Sequence, residues 1–220
     1  MESTINLLLS TWLYFIAIIG VSLTALLFAK WHQWTWLNRL GALATIVLVL
    51  HVWEEWVYPG GFHVIYNLGS DYPDRYPMSQ LTDMITKLGG VLLGCIVLIF
   101  WGFRASAGIA IAIFSLFEVI IHIFLGFKSY EAFHSQGQNI LYSPGLITAL
   151  FGFLPVAIGI ITYFVKHQVS PTLKQWIVAI VALVAISFSL VNLPELLLKD
   201  KNSPYSFPDK GYYEFDKNRK

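Results

Sequence analysis

Charge is scarce in this sequence. Of 220 residues only 14 are Lys or Arg and 13 Asp or Glu, 12% in all, against the usual quarter or so of a soluble domain. A net charge of +1 supplies no basic field to hold nucleic acid, and no glycine-rich phosphate loop is written into the chain. Cysteine is nearly absent as well. The single Cys95 lies in an apolar run, which excludes a disulfide framework and cysteine-rich metal sites and reads as a small buried hydrophobe. Also missing is a basic start: Glu2, with no Lys or Arg, precedes the apolar run from Ile5 to Ala29. A signal peptide has a basic start and a shorter core, so residues 5–29 read as a retained first transmembrane helix.

What is abundant is apolar, 56% of the residues. Apolar runs recur over residues 5–29, 36–58, 81–103, 105–127, 140–165 and 173–198, each near the roughly 20 residues that a span requires. The expected fold class is therefore all-α, a polytopic transmembrane bundle of about six spans that forms one domain over residues 1–198. Residues 199–220, charged and carrying Pro204 and Pro208, read as a solvent-exposed tail. Trp31, Trp34 and Trp36 suit a headgroup-level belt. Gly90, Gly94, Gly108 and Ala112 sit at the four-residue spacing that lets helices approach closely, and predict contact between the third and fourth spans around Arg104. The loop opening on Pro59-Gly-Gly-Phe62 is long enough to be a cover hinged at Gly60 and Gly61, or a plain connector. Basic residues favour the N-terminus outside. Lys30, Arg39, Arg104, Lys166 and Lys174 then lie on the cytoplasmic side, against Arg75, Lys87 and Lys128 on the other, although the tail adds six basic residues outside. In a bacterium the host membrane is the cytoplasmic one.

Two polar islands interrupt this background. His51-Val-Trp-Glu-Glu55 lies near the end of the second run, and on a helix the positions three and four after His51 return to its face, so Glu54 and Glu55 straddle it. An acid at the centre of a span costs about 2.5–3.5 kcal/mol on the insertion scale, which makes the cluster a functional question. Glu118-Val-Ile-Ile-His122 in the fourth run again stacks an acid and a histidine four apart. His51 precedes Pro59 by eight residues and Glu118 precedes Gly126 by eight, so at about 1.5 Å per residue both islands lie at similar depth. The second and fourth spans run in the same direction, which places both islands in one leaflet. The sixth span brings Asn192 and Glu195 to that side, with Pro194 expected to loosen the helix and free backbone carbonyls toward a cavity. Tyr58, one turn beyond Glu54 and Glu55, is within reach of a carboxylate and equally suits an aromatic belt.

His51-x-x-Glu54-Glu55 followed by Pro-Gly-Gly-Phe, then Glu118 with His122, then Ser-Pro-Gly-Leu-Ile-Thr148, resembles the HXXEE-motif membrane protein family over roughly residues 37 to 150. The resemblance implies a small polytopic membrane protein and assigns no catalytic residue, so roles follow from chemistry alone.

His51, Glu55, Glu118 and His122 form a donor set that suits a Zn, Fe or Mn ion, with Glu54 or Glu55 as general base toward a bound water. Tyr58, Asn192 and Glu195 stand as secondary pocket residues, and no organic cofactor is expected. Two metal-free readings remain open: a hydrogen-bonded network joining helices, and an acid–base pair of the kind an isomerase uses. The expected function is a metal-dependent hydrolase or related enzyme acting on a lipid-like substrate, with membrane lipid as its partner. The alternative is a small-molecule or ion transporter, or a ligand-binding membrane protein, using the same cluster. Transport usually asks for a midplane site and interrupted inverted repeats, and here the polar groups gather in one leaflet. Asp83 and Lys87, four apart, read as a surface ion pair, and His32, His63, His134 and His167 as solvated histidines.

Overall fold

The six apolar runs fold as six helices long enough to cross a membrane, and the protein is a multi-pass membrane protein. The computed structural model describes residues 2–215, among which there is no strand. In chain order the helices are α1 (Glu2–Ala29), α2 (Trp36–Trp56), the short α3 (Phe62–Tyr66), α4 (Gln80–Phe100), α5 (Ala105–Phe133), α6 (Leu146–Lys166) and α7 (Leu173–Leu198). Starts follow capping chemistry. Thr35 accepts from the Asn38 N–H, and Ser79 and Thr172 form reciprocal boxes with Thr82 and Gln175. Two boundaries differ from the expected ones. α5 continues past Gly126 to Phe133, since a lone glycine weakens a helix without ending it. α6 begins at Leu146 rather than residue 140, because Pro144 disfavours helical backbone before it and Gly145 turns at φ 99°.

α2 is the axis of the bundle. Of its most apolar window 44% is buried, against 6% for α7, so α2 is surrounded while α7 lies along the outside. It packs on α1, α4, α5 and α6. α1 turns one stripe toward it, Trp12, Ile16, Gly20, Leu23 and Leu27, at steps of three or four. Between helices in lipid, close packing replaces the hydrophobic effect as the cohesive force. The small residues act accordingly, but not as a hairpin seam. Gly94 faces Thr45 and Gly90 faces Leu48, both on α2, while Gly108 faces Leu37 and α6. α4 and α5 are tied at their turn to α2, where the Phe103 N–H donates to Asn38 Oδ1 at 2.6 Å.

Proline opens the last helix as expected, though the freed group has a definite partner. Pro194 has no N–H to give the carbonyl four residues earlier. That carbonyl, on Leu190, lies in a π-helical turn, Phe188–Asn192, and accepts from Thr86 Oγ1 of α4 at 2.5 Å. α6 carries a matching turn at Ala149–Phe153 ahead of Pro155.

On the side where α2 ends, residues 57–79, 134–145 and 199–215 form a cap. Here the expected solvated tail differs. The Gln80 N–H donates to Tyr205 O, the Phe207 N–H to Asp74 O and the Tyr212 N–H to Gly60 O, at 2.9, 2.8 and 3.1 Å. Tyr213 is buried and its hydroxyl lies 3.0 Å from Ser129 Oγ of α5. Five aromatic residues from Tyr205 to Phe215 give this segment the apolar surface that its charges conceal in the sequence. Residues 216–220 of the expected tail lie outside the described residues. Gly60 and Gly61, at φ 71° and 91°, are the junction against which Lys210–Tyr212 is laid.

Candidate metal centre

His51 and Glu55, one helical turn apart on α2, meet Glu118 and His122, one turn apart on α5. His51 Nε2 lies 3.5 Å from Glu55 Oε1 and 3.6 Å from Glu118 Oε2. His122 Nε2 lies 3.6 Å from Glu55 Oε1 and 3.5 Å from Glu118 Oε2. The two rings stand edge to face, centroids 4.7 Å apart. Ligands of one tetrahedral ion with bonds of about 2.0–2.2 Å sit about 3.3–3.6 Å from each other. The four imidazole–carboxylate spacings lie in this range. His51, Glu55 and His122 form the tighter group, each offering a donor atom within 4.8 Å of the others, and all three are buried.

The protonation pattern points the same way. Thr148 Oγ1 has one proton and lies 2.5 Å from Glu54 Oε2, 2.8 Å from His51 Nδ1 and 3.2 Å from Gly145 O. A carboxylate is the stronger acceptor, so the hydroxyl donates to Glu54 and accepts from His51 Nδ1–H. The Nε2 of His51 is then a lone pair facing Glu55 and Glu118. Three electron-rich atoms aimed at one point require a cation there, whether a metal ion or protons.

Glu54 faces away from this set. It accepts from Tyr142 OH at 2.9 Å, Ile147 N–H at 3.0 Å, Thr148 N–H at 2.8 Å and the Thr148 hydroxyl. The N-cap of α6 is Gly145, which has no side chain to cap the first turn, so a carboxylate from α2 satisfies donors that the helix leaves open. The phenol of Tyr142 is pushed up by burial and by Glu54 itself, which keeps it a donor. Gly145 matters twice. Any Cβ there would run into the His122 ring and come within 2.8 Å of His51 Cε1, so only glycine lets both imidazoles converge.

Lys87 overturns the surface reading of its pair. It is buried with Asp83, contacts Asp83 Oδ2 at 3.0 Å, and pairs with Glu55 Oε2. The Trp56 indole N–H donates to Asp83 at 2.5 Å. Lys87 is thus one cation shared by two buried carboxylates, Asp83 and Glu55. Phe62 of α3 roofs the site, with its ring 5.6 Å from His122 and 4.8 Å from Lys87 Nζ.

The secondary residues do not join the cluster. Tyr58 is 86% exposed, Asn192 is exposed, and Glu195 is engaged by Tyr66 OH at 2.6 Å in the cap. His63 is not solvated but buried, stacked on Phe207 at 4.0 Å. His32, His134 and His167 are exposed as expected. Sequence reasoning missed Lys87 and Asp83, whose presence within an apolar helix was itself a signal of buried partners. It gave no role to Thr148 or Tyr142, for which no signal other than their place in the α6 turn existed.

A six-span helical membrane protein with a buried group of two histidines and one glutamate, and a second glutamate beside it, is the class that these features define. The chain belongs to the family described as protein of unknown function with HXXEE motif, whose sequence model matches residues 42–160. That range runs from α2 through most of α6 and contains every residue of the cluster. No curated protein and no solved structure matches the chain.

Proposed function

We propose that His51, Glu55 and His122 hold a divalent transition-metal ion, Zn, Fe or Mn, with Glu118 beside it, and that the protein is a metal-dependent hydrolase acting on a membrane-resident, lipid-like substrate. The observation that carries this reading is the three-donor group within 4.8 Å, together with a second carboxylate 3.5–3.6 Å from both imidazoles. Two histidines and one glutamate are the donor set of hydrolytic zinc centres that keep one position open.

An ion held there supplies Lewis acidity and acidifies water. The chain supplies the rest. Lys87 pins the second oxygen of Glu55 and keeps that carboxylate a ligand. Glu54, saturated by four donors, orients His51 through Thr148 and does not serve as base. Glu118, with its side chain 17% exposed where that of Glu55 is 3%, is the carboxylate placed to receive a proton from water. In the reaction the water oxygen bonds to a carbonyl carbon and one water proton passes to Glu118. The bond from that carbon to its leaving oxygen then breaks as the oxygen takes the proton back.

We infer that the N-terminus lies outside. With Lys87 buried inside the bundle, the outer loops before the tail keep only Arg75 and Lys128 against five basic residues on the cytoplasmic side. The cluster and its cap then face the outer surface, of the cytoplasmic membrane in a bacterium.

Elemental analysis of protein purified without chelators tests the reading. One transition-metal ion per chain is expected, lost in His51→Ala and in His122→Ala. Metal-free wild-type protein would overturn it.

A further inference from the structure

Below the cluster, α4 and α5 each pack on α2 rather than closing on one another, and α7 lies across them. Between the four helices is a cavity of about 300 Å³, whose walls include Thr45, Leu48, Gly94, Ala110, Phe114 and Ala182. Its shape follows from residue size: glycine or alanine lines all four helices where larger side chains would fill the space. Thr45, among its few polar residues, has already given its hydroxyl proton to Gly41 O at 3.0 Å. A space with walls this apolar offers water too few partners to hold it, and inside a bilayer the filler at hand is hydrocarbon.

The cavity ends beneath the centre, with the packed rings of Phe114 and Phe153 between them. Phe114 packs on Phe153 at 5.4 Å, and Phe153 packs on His51 at 5.3 Å. Phe114 precedes Glu118 by four residues and Leu48 precedes His51 by three, so the upper end lies about one helical turn below the donors. Along α2 the walls run from Gly41 to Leu48, about 10 Å. This volume is at the lower bound of ligand pockets, about 300–1,000 Å³. It has room for one hydrocarbon chain.

We propose that this cavity receives a single fatty acyl chain of a membrane lipid and so presents the carbonyl at its end to Glu118 and the ion. The chain slot stands on the cavity itself. The assignment of its carbonyl end rests on the hydrolase reading above. A lipid with two chains leaves the second in the bilayer, so the slot selects for what lies next to the carbonyl and not for headgroup.

The test uses the full-length protein in lipid nanodiscs containing a phosphatidylcholine with a diazirine on one acyl chain. After illumination and peptide mapping, label is expected on residues 90–97 of α4 and 106–114 of α5, well above that on lipid-facing Val184 and Phe188 of α7. Ala110→Phe and Ala182→Phe fill the cavity from different helices, and each lowers slot labelling severalfold with the ion content unchanged. In wild-type protein, excess unlabelled fatty acid lowers slot labelling while sparing Val184. Labelling no greater in the slot than at Val184, or unaffected by both substitutions and by competition, would overturn the proposal. Slot labelling in protein that binds no ion overturns the hydrolase reading and leaves the acyl slot standing; bound ion without slot labelling does the reverse.

Discussion

Glu54 of α2 caps α6 at Thr148: the backbone N–H and the hydroxyl of Thr148 both donate to Glu54 Oε2, at 2.8 and 2.5 Å. Two adjacent acids of one charge thus have different work, Glu55 toward His51 and His122 and Glu54 toward a helix start. Glu54→Gln brings an amide into a place where four donors converge. An unsatisfied buried donor costs about 1–3 kcal/mol, so the thermal midpoint in detergent, followed by tryptophan fluorescence, should fall by several degrees while the ion stays bound. Unchanged stability would mean that the carboxylate is not holding α6.

Thr148→Val keeps the shape and removes the hydroxyl that fixes the His51 tautomer. Partners of this kind are worth about 10–100-fold in metal affinity. Competition with a chelator of known affinity should show a weakening in that range in a folded protein. Wild-type affinity would remove the tautomer argument.

Lys87→Met leaves Asp83 and Glu55 facing each other without their cation. Removing one member of a buried pair costs about 3–5 kcal/mol. The double variant Asp83→Asn with Lys87→Met should recover part of the lost midpoint, because the stranded charge goes with its partner. Strictly additive losses would show that the two side chains act independently.

His63 makes the cap sensitive to acid. Burial pushes its imidazole from 6.5 down to about 4, so between those values the unfolded chain binds a proton that the folded chain refuses. Stability therefore rises with pH across this window: the contribution is complete above pH 6.5 and is lost as pH falls, by up to about 3 kcal/mol. Melting between pH 7 and pH 4.5 should show a falling midpoint for wild type and a flatter one for His63→Phe. Parallel falls would assign the acid sensitivity to another group.

The helices were legible because hydrophobic length is a one-dimensional property, and so was the meeting of His51 with Glu118 and His122, which needs only helical periodicity and the parity of the spans. Lys87 and Asp83 were visible as residues but not as partners. An i, i+4 pair looks the same in water and in a bundle, and only the packing of α4 on α2 decides between them. The division between Glu54 and Glu55 was hidden more deeply, since it depends on where α6 begins. That start is fixed by Pro144 and Gly145, some ninety residues further along the chain. The tail was misread through its charges, whereas its aromatic residues determine where it lies.

The cap that Glu54 places on α6 also sets an order of events during synthesis. Glu54 and Thr148 are separated by 94 residues, so at about 5–20 residues per second the chain carries an uncapped acid and an unoriented His51 for about 5–20 seconds before the fifth span exists. His122 is already present by then, but Gly145 and Thr148 are not. The cluster with an oriented His51 is therefore complete only once the fifth span has docked and brought Thr148 to it.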